Sequence, residues 1–289
     1  MAASMSLHRR LIESYLTAEV NMLAQSKGWT LTQFAKVVTK STNTIRAWLE
    51  GRRIPDKGNL MLICDKAGAE PERKAFIAHV SEKLFLSSEL ISGAEVRNLY
   101  IVESAERNYR VLVKWDPLLM SGLLQTEAVH MNLLAGPMED PASKVKWWKR
   151  KEARQSTYFG RCKGRNHPVA EFYVPARAIA DLDQLTLEEK AEQLERLRWV
   201  DSLPGCEVLV VEPLHFAPYA FEMFTNGGRA SSAPDFVYVE NLDQSRHIVE
   251  SDKIALYDEV RRSLRSKAQG IGRFLDGGVH QLAEEHPEH

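Results

Sequence analysis

Apolar residues recur at steps of three and four along the first ninety positions and afterwards also gather into short β-branched and aromatic runs, a change that predicts helices first and strands mixed with helices later. Ile12, Leu16, Val20 and Leu23 form one helical stripe, which Gly28 stops because glycine takes the left-handed conformation that closes a helix. Thr30 and Gln33 have capping-box spacing for a second, short helix over Leu31 to Val38. Ser41 caps a third, Leu60 to Ala67 form a fourth ended by Gly68, and Pro71 opens a fifth carrying Phe76, Ile77, Val80 and Leu84.

Five helices make a compact unit over residues 1–87. SSELISG, Ser87 to Gly93, has the small and polar composition of a junction, which a helix continuing from Ala94 would shorten. Over 94–276, the stretches YRVLVKW, HPVAEFYV, CEVLVVEP, FEMFT and DFVYVEN are β-branched and aromatic between Pro, Gly, Asn or Asp. LEEKAEQLERLRWV and ALYDEVRRSLRSKAQGIGRFL have helical periodicity. The expectation is an α+β chain: an all-α amino-terminal domain, a mixed α and β domain, and a polar, disordered tail over 277–289.

In the third helix, Ile45, Trp48 and Leu49 share one side, and Thr42, Asn43, Arg46 and Glu50 the other. A small Ala35 lets the second and third helices cross closely, while Ile45 and Trp48 turn inward and aim the polar face outward. One helix fits the major groove of B-DNA, where Asn43 suits adenine, Arg46 suits guanine, and Thr42 and Ala47 suit thymine methyls or phosphates. Gln33, Lys36, Ser41, Arg52 and Arg53 flank that helix where phosphates would run.

Charge sharpens this picture. The whole chain has a formal net charge of -1, so a polyanion must be met by a local patch. Residues 1–60 supply one, with nine Lys/Arg against four acids. A single domain of this kind reads few base pairs, so a homodimer on two half-sites of double-stranded DNA is expected.

The stretch TLTQFAKVV...STNTIRAWLEGRRIP, Thr30 to Pro55, resembles the phage-repressor-like, Xre-type helix-turn-helix family. That family commonly places Gly and Val in the turn, where this chain has Thr39 and Lys40. A left-handed residue with a side chain costs about 1 kcal/mol, which predicts a longer or differently shaped turn.

The second domain carries GLLQT at Gly122 to Thr126, the pair Arg154 and Gln155, VYVE at Val237 to Glu240, and IVESDKIALYDEVRRSLRSKA in register. This ordered set resembles the WhiJ-like, antitoxin-like transcriptional regulators of actinobacteria. The resemblance implies a repressor whose second domain responds to a ligand or to a small partner protein encoded nearby. The alternative it carries is an antitoxin-like protein that sequesters such a partner, with DNA binding for autoregulation. Gln125, Arg154, Gln155 and Glu240 are polar groups in apolar stretches. They either satisfy one another within the core or line a regulatory pocket.

KVKWWKRKEARQSTYFGRCKGR, Lys144 to Arg165, sets nine Lys/Arg against Glu152 around Trp147 and Trp148. It reads as a solvated helix with one tryptophan inward, or as a surface for an anionic partner. Cys64, Cys162 and Cys206 have neither disulfide-framework nor zinc spacing. There is no GxGxxG, Walker, HExxH or GxSxG motif, and Cys162 with His167 lacks an orienting acid. The chain is therefore expected to be a non-enzyme without metal or cofactor. With neither a leader nor a membrane span in the sequence, it is expected to be cytoplasmic and nucleoid-associated.

Overall fold

The computed structural model describes residues 2–86, 91–93, 99–134, 140–212, 218–228, 233–241 and 244–277. In chain order its amino-terminal elements are α1 (Ala2–Ser26), α2 (Leu31–Val37), α3 (Thr42–Leu49), α4 (Lys57–Ala67), α5 (Pro71–Leu86), β1 (Ile91–Gly93), α6 (Leu99–Asn108) and β2 (Val111–Trp115). There follow α7 (Pro141–Cys162), β3 (Val169–Pro175), α8 (Ala176–Ala180), α9 (Leu187–Asp201), β4 (Cys206–Val211), β5 (Phe221–Thr225), β6 (Phe236–Glu240), β7 (Gln244–Ile248), α10 (Ser251–Lys267) and β8 (Ala268–Gly270). The chain is α+β, with helices first and a mixed α and β region after them. Its internal contacts gather into two compact units, residues 1–108 with 228–254, and residues 109–227 with 255–289.

In the first unit α1 forms the central post, burying Ile12, Leu16 and Val20 against α3, α4 and α5. Four consecutive helix ends use a left-handed residue: Gly28, Thr39, Gly51 and Gly68, with φ of 62°, 57°, 70° and 64°. At α2 the N–H of Lys40 donates to Ala35 O at 2.9 Å and that of Thr39 to Lys36 O at 3.3 Å, the paired bonds of a Schellman end. The same pair closes α1, from Trp29 to Ala24 O and from Gly28 to Gln25 O. The expected change in the length or shape of the helix-turn-helix turn is therefore corrected. The turn keeps the glycine geometry, and Thr39 carries the strain itself.

Further corrections concern short strands that sequence periodicity does not reveal. Residues Ile91–Gly93, taken as part of a junction, form β1 and pair antiparallel with β7, whose QSRHI sequence carries no apolar alternation strong enough to announce a strand. The helix expected through ALYDEVRRSLRSKAQGIGRFL stops at Lys267. Ala268–Gly270 pair with β4, and helix resumes over 271–277. Residues 87–90 of the junction, the proposed helical start at 94–98 and the tail over 278–289 lie outside the described residues.

In the second unit the strands lie in the order β5-β2-β3-β4-β8. The central β2, β3 and β4 are parallel, with Leu112 opposite Ala170 and Phe172 opposite Val208, and β5 and β8 add antiparallel edges. Parallel strands need crossover connections, supplied here by α7 and by α8 with α9. Burial on both faces explains the nearly unbroken apolar runs FYVP and VLVV. Cys162 at the end of α7 and Cys206 at the start of β4, far apart in sequence, place their Sγ atoms 3.6 Å apart as free thiols.

Candidate nucleic-acid interface

Ser41 accepts the Thr44 N–H at 3.1 Å and starts α3. Ile45 and Trp48 are then buried, while Thr42, Asn43 and Arg46 stand exposed on the opposite side. Ala47, expected to touch base methyls, is half-buried. The other end of α3 is held by two residues of α1 that the sequence pattern did not single out. Asn21 Nδ2 donates to Leu49 O at 2.9 Å and also to Thr17 O within its own helix. A Cβ on Gly51 would approach the Thr17 side chain to 3.2 Å, so the chain leaves α3 hard against α1. The exposed face of α3 is thus fixed at both ends by hydrogen bonds.

Around it, Gln33, Lys36, Ser41, Arg52 and Arg53 are all exposed. Gln33 completes the capping box, accepting the Thr30 N–H at 2.8 Å through its side-chain carbonyl and leaving its amide N–H groups outward. Arg52 pairs with Glu50 at 2.6 Å in an exposed bridge; such pairs contribute about 0 to 1 kcal/mol and yield readily to a phosphate. Lys36 and Arg53 make no ion pair among the described residues. Asp56 caps α4, and the backbone N–H of Asn59 holds its carboxyl below the ordinary value.

The residues proposed for the regulatory site fall into two groups. Gln155 Nε2 donates to the carbonyls of Gly122 at 2.9 Å and Gln125 at 2.8 Å, and Lys151 donates to Gln125 Oε1. Arg196 Nη2 donates to Gln155 Oε1 at 3.1 Å and Leu123 O at 3.3 Å. Gln193, fully buried, accepts the Thr126 N–H at 2.7 Å and donates to Leu124 O at 3.0 Å. Gly122 to Thr126 therefore form a loop whose backbone polar groups are taken up by side chains of α7 and α9, which deals with groups that burial would otherwise leave unsatisfied. Arg154 lies half-buried on α7 next to Gln155, and Glu240 sits at the exposed end of β6 in the other unit, accepting from Tyr238 Oη at 2.9 Å.

The sequence pattern also missed Gln193, Arg196 and Lys151. Their only sequence signal is that Gln193 and Arg196 share the α9 face of Leu197 and Val200, where polar residues are out of place. Burial, and after it the neighbouring Arg154, pull the Lys151 amine down to about 8. The basic helix α7 keeps Trp147 and Trp148 both half-buried, with Arg150 over the Trp147 ring and Trp148 stacked on His130. Cys162 and His167 are not brought together: Cys162 faces Cys206, and His167 Nδ1 lies 3.3 Å from Pro168 O.

These features agree with the matches to known families. A helix-turn-helix family model matches residues 22–72, spanning α2, its turn and α3. The chain belongs to the family described as a domain of unknown function (DUF5753), whose model matches residues 102–270. No curated protein and no solved structure matches it. The protein is accordingly a DNA-binding transcription regulator with an Xre-type helix-turn-helix joined to that carboxyl-terminal domain. Among the described residues no helix is long and apolar enough to cross a membrane.

Proposed function

We propose that the protein is a sequence-specific repressor that reads its operator with α3, binds as a homodimer and is controlled through its second domain. The observation that carries this is the exposed Thr42, Asn43 and Arg46 face, held at one end by Ser41 and at the other by Asn21 and bordered by the exposed Lys36 and Arg53, which make no ion pair among the described residues. Asn43 and Arg46 lie one helical turn apart and match adenine and guanine edges, while Lys36, Arg53, Gln33 and Ser41 meet phosphates. Arg52 joins them by exchanging Glu50 for a phosphate oxygen.

The likeness of GLLQT and its companion motifs to WhiJ-like, antitoxin-like regulators supports a signal received by the second domain, from a ligand or a small partner protein. That signal acts by preferring one of two dimer geometries, lowering operator affinity by its differential binding to them. We place the protein's action in binding and not in catalysis, without metal or cofactor, and in the cytoplasm on the nucleoid.

Genome-wide immunoprecipitation of the tagged protein, followed by fluorescence anisotropy on the recovered duplexes, tests this. The expected result is a short set of sites sharing a motif of two half-sites one helical turn apart, with affinity that falls steeply as salt rises. Binding equal on every duplex, or on none at low salt, overturns it.

A further inference from the structure

The loop at Gly122 to Thr126, α7 and α9 surround an open cleft of about 560 Å³. Its two helices run in the same direction along it. Gln155 of α7 meets Arg196 of α9, and one turn further on Phe159 meets Trp199 with ring centroids 5.3 Å apart. One turn back on each helix lie Glu152 and Glu192, and Glu127, which follows the loop, also lines the cleft. At the far end of α7 stands Lys163.

The cleft is therefore electrically polarised along its length. Glu127, Glu152 and Glu192 are exposed and make no ion pair among the described residues, and neither does Lys163. Lys163 follows Glu152 by eleven helical steps, about 16 Å at the α-helical rise. The floor between them is aromatic and polar. The Arg196 guanidinium lies 4.9 Å from the Phe159 ring and 4.5 Å from the Trp199 ring, and donates through Nη2 to Gln155.

We propose that this cleft receives a short peptide segment of a partner protein in one direction. A basic side chain sits between Glu127, Glu152 and Glu192, an apolar or aromatic side chain lies on Trp199, and a carboxylate meets Lys163. The span corresponds to about five residues of extended chain, at roughly 3.3 Å each, so a compact ligand would reach one charged end only. The proposal rests on the reading of the second domain as the receiver of the signal, and it names the chemistry that the receiver accepts. The two charged ends give direction and specificity, and the aromatic floor supplies the buried area.

A random heptapeptide library displayed on phage, selected on the full-length protein, provides the test. Selected peptides should share Lys or Arg toward one end and Asp or Glu toward the other. A fluorescein-labelled consensus peptide should bind the Glu152→Lys, Glu192→Lys double variant at least tenfold more weakly, with the variant's circular dichroism unchanged. A consensus in which the basic residue is replaced by Glu should regain affinity for the double variant, a rescue that a merely damaged fold would not give. No selected binder, selected peptides without that charge pattern, or a consensus indifferent to the double variant overturns the proposal. Operator binding by the same wild-type preparation is measured alongside; its loss would remove the regulator reading and leave the peptide result standing.

Discussion

Glu19 of α1, 1% exposed, accepts from Arg73 of α5 at 2.7 Å and from Arg107 of α6 at 3.1 Å. Arg73 also donates to the buried Glu103 of α6 at 3.0 Å and stacks on Tyr100 at 4.6 Å. Burial works against the Arg73 charge, but Glu19 and Glu103 outweigh it and hold the guanidinium above its ordinary value. The network joins the helix that supports α3 to the helix where the DUF5753 match begins. Removing Glu19 takes the carboxylate from the partly buried Arg107 and leaves Arg73 with Glu103 alone. Glu19→Ala should therefore lower stability by about 3 to 5 kcal/mol in urea unfolding. A loss below about 1 kcal/mol for the single variant would show that water already screens the pair.

Operator binding should separate the two kinds of cation. Arg46→Ala should cost about 1 to 3 kcal/mol on the specific site and relax preference at one base pair, as expected for a base-edge contact. Arg52→Ala should weaken all duplexes alike and reduce the slope of log K against log salt by about one. Anisotropy titrations at several salt concentrations distinguish them. The reverse pattern would mean that α3 lies in the groove in another orientation.

Thr39 occupies a left-handed position that glycine fills at the ends of α1, α3 and α4. Relief of the strain is worth about 1 to 2 kcal/mol, and the added freedom of glycine in the unfolded chain offsets about 0.4 to 1 kcal/mol of it. Thr39→Gly should thus raise stability by up to about 1.5 kcal/mol, read as a higher midpoint of urea unfolding, while Thr39→Val should lower it.

Lys151, beside Gln125 and His130, titrates at about 8 in the folded chain and near 10.4 unfolded. Below pH 8 both states hold the proton and the folded chain carries the full penalty of the buried charge. Between pH 8 and about 10.5 the unfolded chain keeps a proton that the folded chain has released, so stability from this group rises with pH. From pH 7 to 10.5 the wild type should gain roughly 2 to 3 kcal/mol relative to Lys151→Met. Urea unfolding at both values tests this, and parallel pH dependence of the two proteins would mean that the amine stays solvated.

Much of the helix-turn-helix was legible because its determinants are local. The hydroxyl caps Thr30 and Ser41, the closing glycines and the inward Ile45 and Trp48 act within a few residues of one another. The outward placement of Thr42, Asn43 and Arg46 follows from helical period alone. The strands rich in β-branched and aromatic residues declared themselves for the same reason, since a buried parallel strand must be apolar along its whole length.

Tertiary structure alone decided the rest, where partners lie far apart in the chain. No local pattern tells that Asn21 caps α3, that Glu19 meets Arg73 and Arg107, or that QSRHI becomes a strand beside Ile91–Gly93. Gln193 and Arg196 look like ordinary polar positions of an amphipathic helix until the fold lays the loop at Gly122 to Thr126 against them. A buried polar group is defined by what surrounds it, and those surroundings exist only once the chain has closed.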